Sequence, residues 1–213
     1  MSNAAETLRN AWKIADLRKR IFYTVALLLI FRLGSFIPVP GLDPDVFEEL
    51  VQGGGALFGF VNMISGGAFK DATIFAMSIT PYINASIIMN LLTIAIPKLE
   101  QIAKEGEEGR KLLAKYQRYG AVVLAFLQAT GLYFGLSRSI ITGKSVLSFI
   151  TITLTFTAGT AFLMWLGEQI TEKGIGNGIS LIIFAGIVSR GPTLAAYLWT
   201  YFKTGQLGSG IVG

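Results

Sequence analysis

Long apolar blocks run through most of this sequence, separated by short stretches rich in glycine, proline or charge. A helix on a soluble core is apolar along one stripe, whereas a helix that crosses a bilayer is apolar on all sides for roughly 20 residues. Hydrophobic residues make up 52% of the chain and charged residues 15%. The blocks therefore predict an all-α polytopic membrane protein rather than a soluble domain.

One apolar run, residues 56–69, is too short to span a bilayer. Glycines flank it, and a longer apolar block of about residues 72–96 follows. Such a run fits a re-entrant half-helix, because broken backbone at membrane depth is tolerated where it lines a protein-enclosed cavity. It also fits an amphipathic helix that lies at the outer surface. The pattern leaves both interpretations open.

Five apolar segments are predicted to span: about residues 21–37, 72–96, 119–136, 146–166 and 179–199, with a hydrophobic limit of the last near Val188. They form a predicted unit of residues 21–200, preceded by a basic amphipathic segment, residues 1–20, and followed by a tail, residues 201–213. Residues 1–20 and the charged loop 98–118 hold most of the lysines and arginines. This bias predicts a cytoplasmic N-terminus. The loop is interpreted as solvated, with a partner surface as the alternative.

Histidine and cysteine are absent from the sequence. Their absence excludes Cys/His zinc sites, disulfides and nucleophilic arrangements that use histidine or cysteine, so neither an enzyme nor a bound cofactor or metal is expected. The net charge of +5 comes from basic residues beside apolar blocks. Membrane orientation explains that placement better than direct binding of nucleic acid.

Polar and small residues inside the predicted spans have mostly structural interpretations. Arg32 is interpreted as an anchor charge near the end of the first span, although it could also snorkel or pair. Gln128 is predicted to bond a neighbouring helix, and the spacing of Gly131 and Gly135 predicts a close helix approach. The threonines of the fourth span are expected to bond their own helix carbonyls. The GIGNGIS stretch matches no phosphate-binding spacing and predicts a tight turn.

Several stretches carry a family resemblance. FIPVPG, NMISGGAF, ITPYINASIIMNLL, KEGEEGRK with YQRYG, and MWLGEQITEKGIGNGISLIIFAGIV resemble, in the same order, the N-terminal half of the bacterial SecY family, the pore subunits of the protein-conducting channel. The resemblance implies one half of an inverted-repeat fold, with five transmembrane helices and a plug half-helix. The second half of the fold is expected to lie outside this sequence.

The resemblance also implies roles for individual residues. A ring of aliphatic side chains would close the pore, and this half would supply Ile79, Ile83, Ile179 and Ile183. A plug at about residues 57–69 would lie on the outer side and include Leu57, Phe58, Phe60, Val61, Asn62, Met63 and Ile64. Asn84 and Gln128 would lie near the lateral gate, through which signal sequences and membrane segments pass into lipid.

The implied function is passage of unfolded secretory polypeptides across, and membrane segments into, the bacterial plasma membrane. The implied partners are the C-terminal half of the channel, SecE, SecG, the SecA ATPase, the ribosome, signal sequences, the translocating polypeptide and the lipid bilayer. Alone, this half is expected to form no sealed channel, and its uncovered pore face favours a non-native homo-oligomer.

Two other functions remain open from the sequence. A small-solute transporter would also use inverted repeats and a broken helix, but it predicts charged or strongly polar residues converging at the membrane midplane. The predicted spans offer Asn84, Gln128 and threonines there, and no acid. The isolated sequence could also act as a non-conducting assembly module.

Overall fold

The computed structural model describes residues 14–43, 45, 47–49, 59, 62–136, 146–189 and 191. Six helices are defined within these ranges: α1 (Ala15–Gly34), α2 (Thr80–Ala95), α3 (Pro97–Lys104), α4 (Glu107–Leu136), α5 (Val146–Lys173) and α6 (Gly178–Val188). Residues 45, 47–49, 59 and 62–64 are also helical. Residues 1–13 of the predicted segment 1–20, the predicted tail 201–213, and residues 190 and 192–199 of the fifth span lie outside the described residues.

Helix α5 is the centre of the packing and contacts α1, α2, α4 and α6. Its buried face carries large apolar side chains along its whole length, from Ile152 to Ile170. The predicted threonine bonds are confirmed for Thr155 and Thr157, whose hydroxyls donate to carbonyls one turn back at 2.6 and 2.7 Å. The buried hydroxyls of Thr153 and Thr160 have no hydrogen-bond partner among the described residues.

Helices α2 and α3 meet at a bend of 102°. Pro97 begins α3, and the residue before it, Ile96, is extended at φ −109° and ψ 111°. A proline disfavours helical geometry at the preceding residue, which explains the break. The charged segment predicted as a loop, residues 98–118, consists mainly of α3 and the first 12 residues of α4. Arg118 of α4 forms an ion pair with Glu168 of α5.

Residues 65–79 form a run of buried turns between the short helical segment and α2. An isolated antiparallel bridge joins Pro38 to Thr73, with Val39 N–H donating to Ala72 O at 2.9 Å and Ile74 N–H donating to Ile37 O at 3.0 Å. Ala72 and Ser78 have left-handed φ angles of 46° and 53°. Helical geometry cannot pass through such residues. The second helix therefore begins at Thr80, eight residues later than predicted.

Helix length and composition do not confirm five spans. Among the described residues, α5 alone is long and apolar enough to cross a membrane, and the bent pair α2 and α3 would be a second crossing if counted as one span. Helix α6 is apolar but shorter, and its defined end at Val188 coincides with the predicted hydrophobic limit.

Candidate functional site

The four isoleucines predicted for the pore ring lie in one apolar cluster. Ile79 is the residue before α2 and Ile83 lies one turn into that helix, while Ile179 and Ile183 lie one turn apart on α6. All four belong to the apolar cluster that also contains the α5 side chains Leu163, Leu166 and Ile170. Two helix starts that are distant in sequence thus meet on the same face of α5.

The four isoleucines differ in how much surface they leave free. Ile79 is completely buried, at 0% exposure, whereas Ile83, Ile179 and Ile183 are partly buried. The backbone carbonyl of Ile79 accepts the amide of Ile83 at 3.1 Å, so the buried residue fixes the first turn of α2. Within the described residues, Ile79 is therefore part of the buried interior of the cluster. Ile83, Ile179 and Ile183 leave part of their side chains exposed.

The predicted plug lies only partly within the described residues. Leu57, Phe58, Phe60 and Val61 fall outside them. Asn62 is buried, Ile64 is partly buried and Met63 is exposed. The helical conformation ends at Ile64 rather than near Phe69, because from Ser65 onward the chain forms turns.

Local hydrogen bonds explain this early helix end. The Ser65 hydroxyl donates to Asn62 O and accepts the Phe69 amide, both at 3.1 Å. The Asn62 side chain accepts the Lys70 amide at 3.2 Å. Side chains that bond nearby backbone in this way stabilise turns at the expense of helix. We call residues 62–69 the Gly66 turn, since Gly66 has a left-handed φ of 66°.

The Gly66 turn is held between the ends of α1 and α6. A Cβ at Gly66 would lie 2.9 Å from Gly186 Cα, so the two backbones pack with no room for a side chain. Arg32 donates to Gly66 O at 3.2 Å and to the Ser189 hydroxyl at 3.3 Å. The sequence pattern favours an anchor charge for Arg32, and no motif in it points to Gly186 or Ser189. The one available signal was an arginine inside an apolar block.

The two amides predicted at the lateral gate are half-buried on neighbouring helices. Asn84 lies on α2 and Gln128 on α4, and these helices pack along each other. Within the described ranges neither amide makes a hydrogen bond, so the interhelical bond predicted for Gln128 is not found there. The predicted close approach at Gly131 and Gly135 is not found among the described residues either, because a Cβ at either position would meet none of their atoms within 4 Å.

The GIGNGIS stretch forms the predicted tight turn between α5 and α6. Thr24 of α1 accepts the Ile175 amide at 3.1 Å, and Thr171 accepts the Gly178 amide at 2.9 Å. Asn177 caps α6 by accepting the Ser180 amide at 3.1 Å. These amides are therefore engaged within the protein. In the ranges that the structure describes, no group of three or more acidic, histidine or cysteine residues could hold a metal.

Comparison with known proteins gives consistent results. A family model described as SecY matches residues 73–212. The protein translocase subunit SecY of Halalkalibacterium halodurans is 50% identical over 190 residues, which are 87% of this chain and 44% of that protein. The Escherichia coli K12 protein of the same name is 45% identical over 200 residues, covering 91% of this chain and 45% of its own length.

Solved structures match the fold. The structure of a protein conducting channel superposes with a TM-score of 0.62 at 23% identity, covering 90% of this chain and 42% of that chain. Sec61 in the canine ribosome–channel complex gives the same values. The all-helical half-channel fold implied by the resemblance is thereby confirmed, and the chain spans about half the length of the curated relatives it matches. With a family model that covers well over half of its residues, this chain belongs to the SecY family.

Proposed function

We propose that this chain is the N-terminal half of a protein-translocation channel that passes unfolded secretory polypeptides across, and membrane segments into, the bacterial plasma membrane. One observation carries the proposal: Ile79, Ile83, Ile179 and Ile183 meet in a single apolar cluster on α5. Family membership supports it, since the matched relatives are named protein translocase subunits. The small-solute transporter alternative receives no support from these relatives.

The ring has a simple physical role in such a channel. A narrow throat lined by apolar side chains disfavours ions, which would have to shed hydration water without a compensating ligand. Aliphatic side chains make no directional bonds, so they do not select among passing sequences. Of the four isoleucines proposed for the ring, Ile83, Ile179 and Ile183 have exposed surface that could line the throat. Ile79 is buried and would hold the other three in place.

The plug and gate are further parts of the proposal. Residues 57–69 would seal the outer side of the throat, supported by the buried position of the Gly66 turn between α1 and α6. Asn84 and Gln128 would bias the lateral gate through polar contacts made with the other half of the channel. Their half-buried amides, free of partners within the described residues, are suited to such contacts.

The proposed partners follow from the same assignment. The C-terminal half would complete the pore, SecE and SecG would associate in the membrane, and the SecA ATPase or the ribosome would deliver substrate. The chain itself would have no catalytic role. With the N-terminus in the cytoplasm, α3 and the charged part of α4 would also face the cytoplasm.

A crosslinking experiment tests the proposal. Because the sequence lacks cysteine, a single cysteine at Ile83 is a unique thiol in this chain. In channels assembled with the C-terminal half, a stalled secretory substrate that carries one cysteine is expected to crosslink to Ile83→Cys. The matched control is Ile88→Cys, an exposed isoleucine of the same helix that lies roughly 140° around its axis. Equal crosslinking at both positions, or none at Ile83 in assembled complexes, would reject the pore-ring assignment.

A further inference from the structure

The charge of Arg32 is bound by neutral groups. Its guanidinium lies in the last turn of α1 and is partly buried, and none of the ion pairs among the described residues includes it. It contacts Gly66 O at 3.2 Å, the Ser189 hydroxyl at 3.3 Å and the ring of Phe36, whose centroid is 4.7 Å away. Placing a charged side chain inside an apolar segment costs free energy, so a charged residue found there usually has a specific role.

Three separate elements meet at this guanidinium. Ser189 donates its own hydroxyl proton to Gly186 O at 2.7 Å, which leaves its oxygen lone pairs directed to Arg32. A Cβ at Gly66 would lie 2.9 Å from Gly186 Cα, and a Cβ at Gly186 would lie 2.7 Å from Ile64 O, so neither glycine has room for a side chain. One side chain of α1 therefore ties the Gly66 turn to the end of α6.

We propose that Arg32 is a latch that holds the Gly66 turn against α6 and so sets how readily the plug leaves its seat, a role that rests on the proposed channel function. Arg32 is a positioning residue in this scheme, because it acts on the plug through the Gly66 carbonyl. Ser189 and Gly186 form the fixed side of the latch.

Neutral acceptors make the latch reversible. A hydrogen bond from a charged donor is strong enough to shift an equilibrium by roughly ten-fold or more when it is lost. The partly exposed guanidinium can exchange the Gly66 carbonyl for water when the turn departs, so the released state leaves no desolvated charge. A carboxylate partner would hold the cation more tightly and would itself need to be rehydrated.

The latch can be tested by measuring how fast a buried cysteine is labelled. Ala68 lies on the Gly66 turn at 1% exposure, so a thiol reagent reaches Ala68→Cys only when the turn is displaced. The labelling rate is measured with a membrane-impermeant maleimide in channels assembled with the C-terminal half. Arg32→Met is expected to raise the rate about ten-fold. Ser189→Ala is expected to raise it less, and to add nothing once Arg32 is replaced.

Ser35→Ala is the matched control for loss of a hydroxyl. Ser35 directly follows α1 and is buried, but among the described residues its hydroxyl donates only to Phe31 O of α1, at 3.0 Å. With Ser35→Ala present, the labelling rate of Ala68→Cys should equal the rate measured in the channel that carries Ala68→Cys alone. The latch is rejected if Arg32→Met labels at the parent rate, or if Ser189→Ala has the same effect with and without Arg32. If Arg32→Met does not assemble, the test uses Ser189→Ala and Ser35→Ala alone. Equal labelling rates of Ala68→Cys in these two variants would also reject the latch.

Ion conductance separates the latch from the proposed function. Faster labelling together with greater ion leak supports both. Faster labelling without any leak supports the contact between Arg32 and the turn, but overturns the role of the turn in sealing a channel. An unchanged labelling rate overturns the latch even in channels that translocate normally.

Discussion

At the scale of single residues, glycines determine which backbones can touch. Gly131 and Gly135 have the spacing expected of a close helix contact, yet both are exposed with open space around them. Gly159 of α5 has no such spacing, and it is the residue where the buried turns press against the helix. A Cβ at Gly159 would overlap the Ile74 carbonyl. The close contact at Gly159 is therefore between a helix and irregular backbone.

Replacing these two glycines by alanine should have opposite effects. Gly159→Ala forces the turn run away from α5 and should lower the free energy of unfolding by about 2 kcal/mol or more. Gly131→Ala meets no neighbour and should be neutral or raise stability by up to about 1 kcal/mol, because alanine favours helix. Unfolding of both variants in detergent, followed by circular dichroism, measures the difference. Equal shifts would contradict the packing described at Gly159.

At the scale of elements, the turn between α5 and α6 depends on a hydroxyl from a third helix. Thr24 of α1 accepts the Ile175 amide and donates to Arg20 O at 2.9 Å. The turn is thus fixed from outside as well as by its own glycines. Since α6 carries two of the isoleucines proposed for the ring, this contact helps to set where they lie.

Thr24→Val removes the acceptor while keeping the shape of the side chain. The Ile175 amide then loses its partner, and the free energy of unfolding should fall by about 1–3 kcal/mol. Thr130→Val is the matched control, because the Thr130 hydroxyl bonds only the Phe126 carbonyl of its own helix, at 2.8 Å. Detergent unfolding of the two variants checks the prediction. A loss at Thr130 as large as that at Thr24 would refute the importance of the cross-helix bond.

The sequence predicted the elements better than their boundaries. The helix class, the start of α5 at Val146 and the limit of α6 at Val188 follow from apolar composition, which is a local property. The start of α2 does not, because residues 72–79 are as apolar as a span but are bent by the left-handed residues Ala72 and Ser78. Their geometry depends on the bridge to residues 37–39, a contact distant in sequence.

The candidate site shows the same division. The family motifs pointed to Ile79, Ile83, Ile179 and Ile183, and the structure brings them together. The contacts of Arg32 could not be predicted, because both its acceptors belong to segments far along the chain and one is a backbone carbonyl. Every residue has a backbone carbonyl, so the residue type does not reveal which carbonyl accepts a hydrogen bond.

At the scale of the whole molecule, this chain leaves apolar surface uncovered on α2. Ile87, Ile88, Leu91 and Ile94 are all exposed, in addition to the partly exposed ring residues. In the channel proposed above, further protein and lipid would cover this surface. The proposed ring would then be sealed only in the assembled channel.

Ile83→Asn should weaken that seal. An amide in the throat offers ions and water a hydrogen-bonding group, so conductance through assembled, idle channels should rise, and substrates with poor signal sequences should be translocated more readily. Ile88→Asn changes an exposed isoleucine of the same helix outside the ring cluster and should leave conductance unchanged. Planar-bilayer recordings and a translocation assay measure the two effects. Parent-like conductance in Ile83→Asn would argue against a sealing role.

The bridge between Pro38 and Thr73 constrains how this half can move. Two backbone hydrogen bonds couple the exit of α1 to the approach of α2, so these segments translate as one rigid body while the bonds last. If α2 moves relative to α1 while both bonds persist, we expect dihedral rotation within residues 75–79, which lie between the bridge and α2, to absorb the change. The torsion angles of that segment would then set how far Ile83 is displaced.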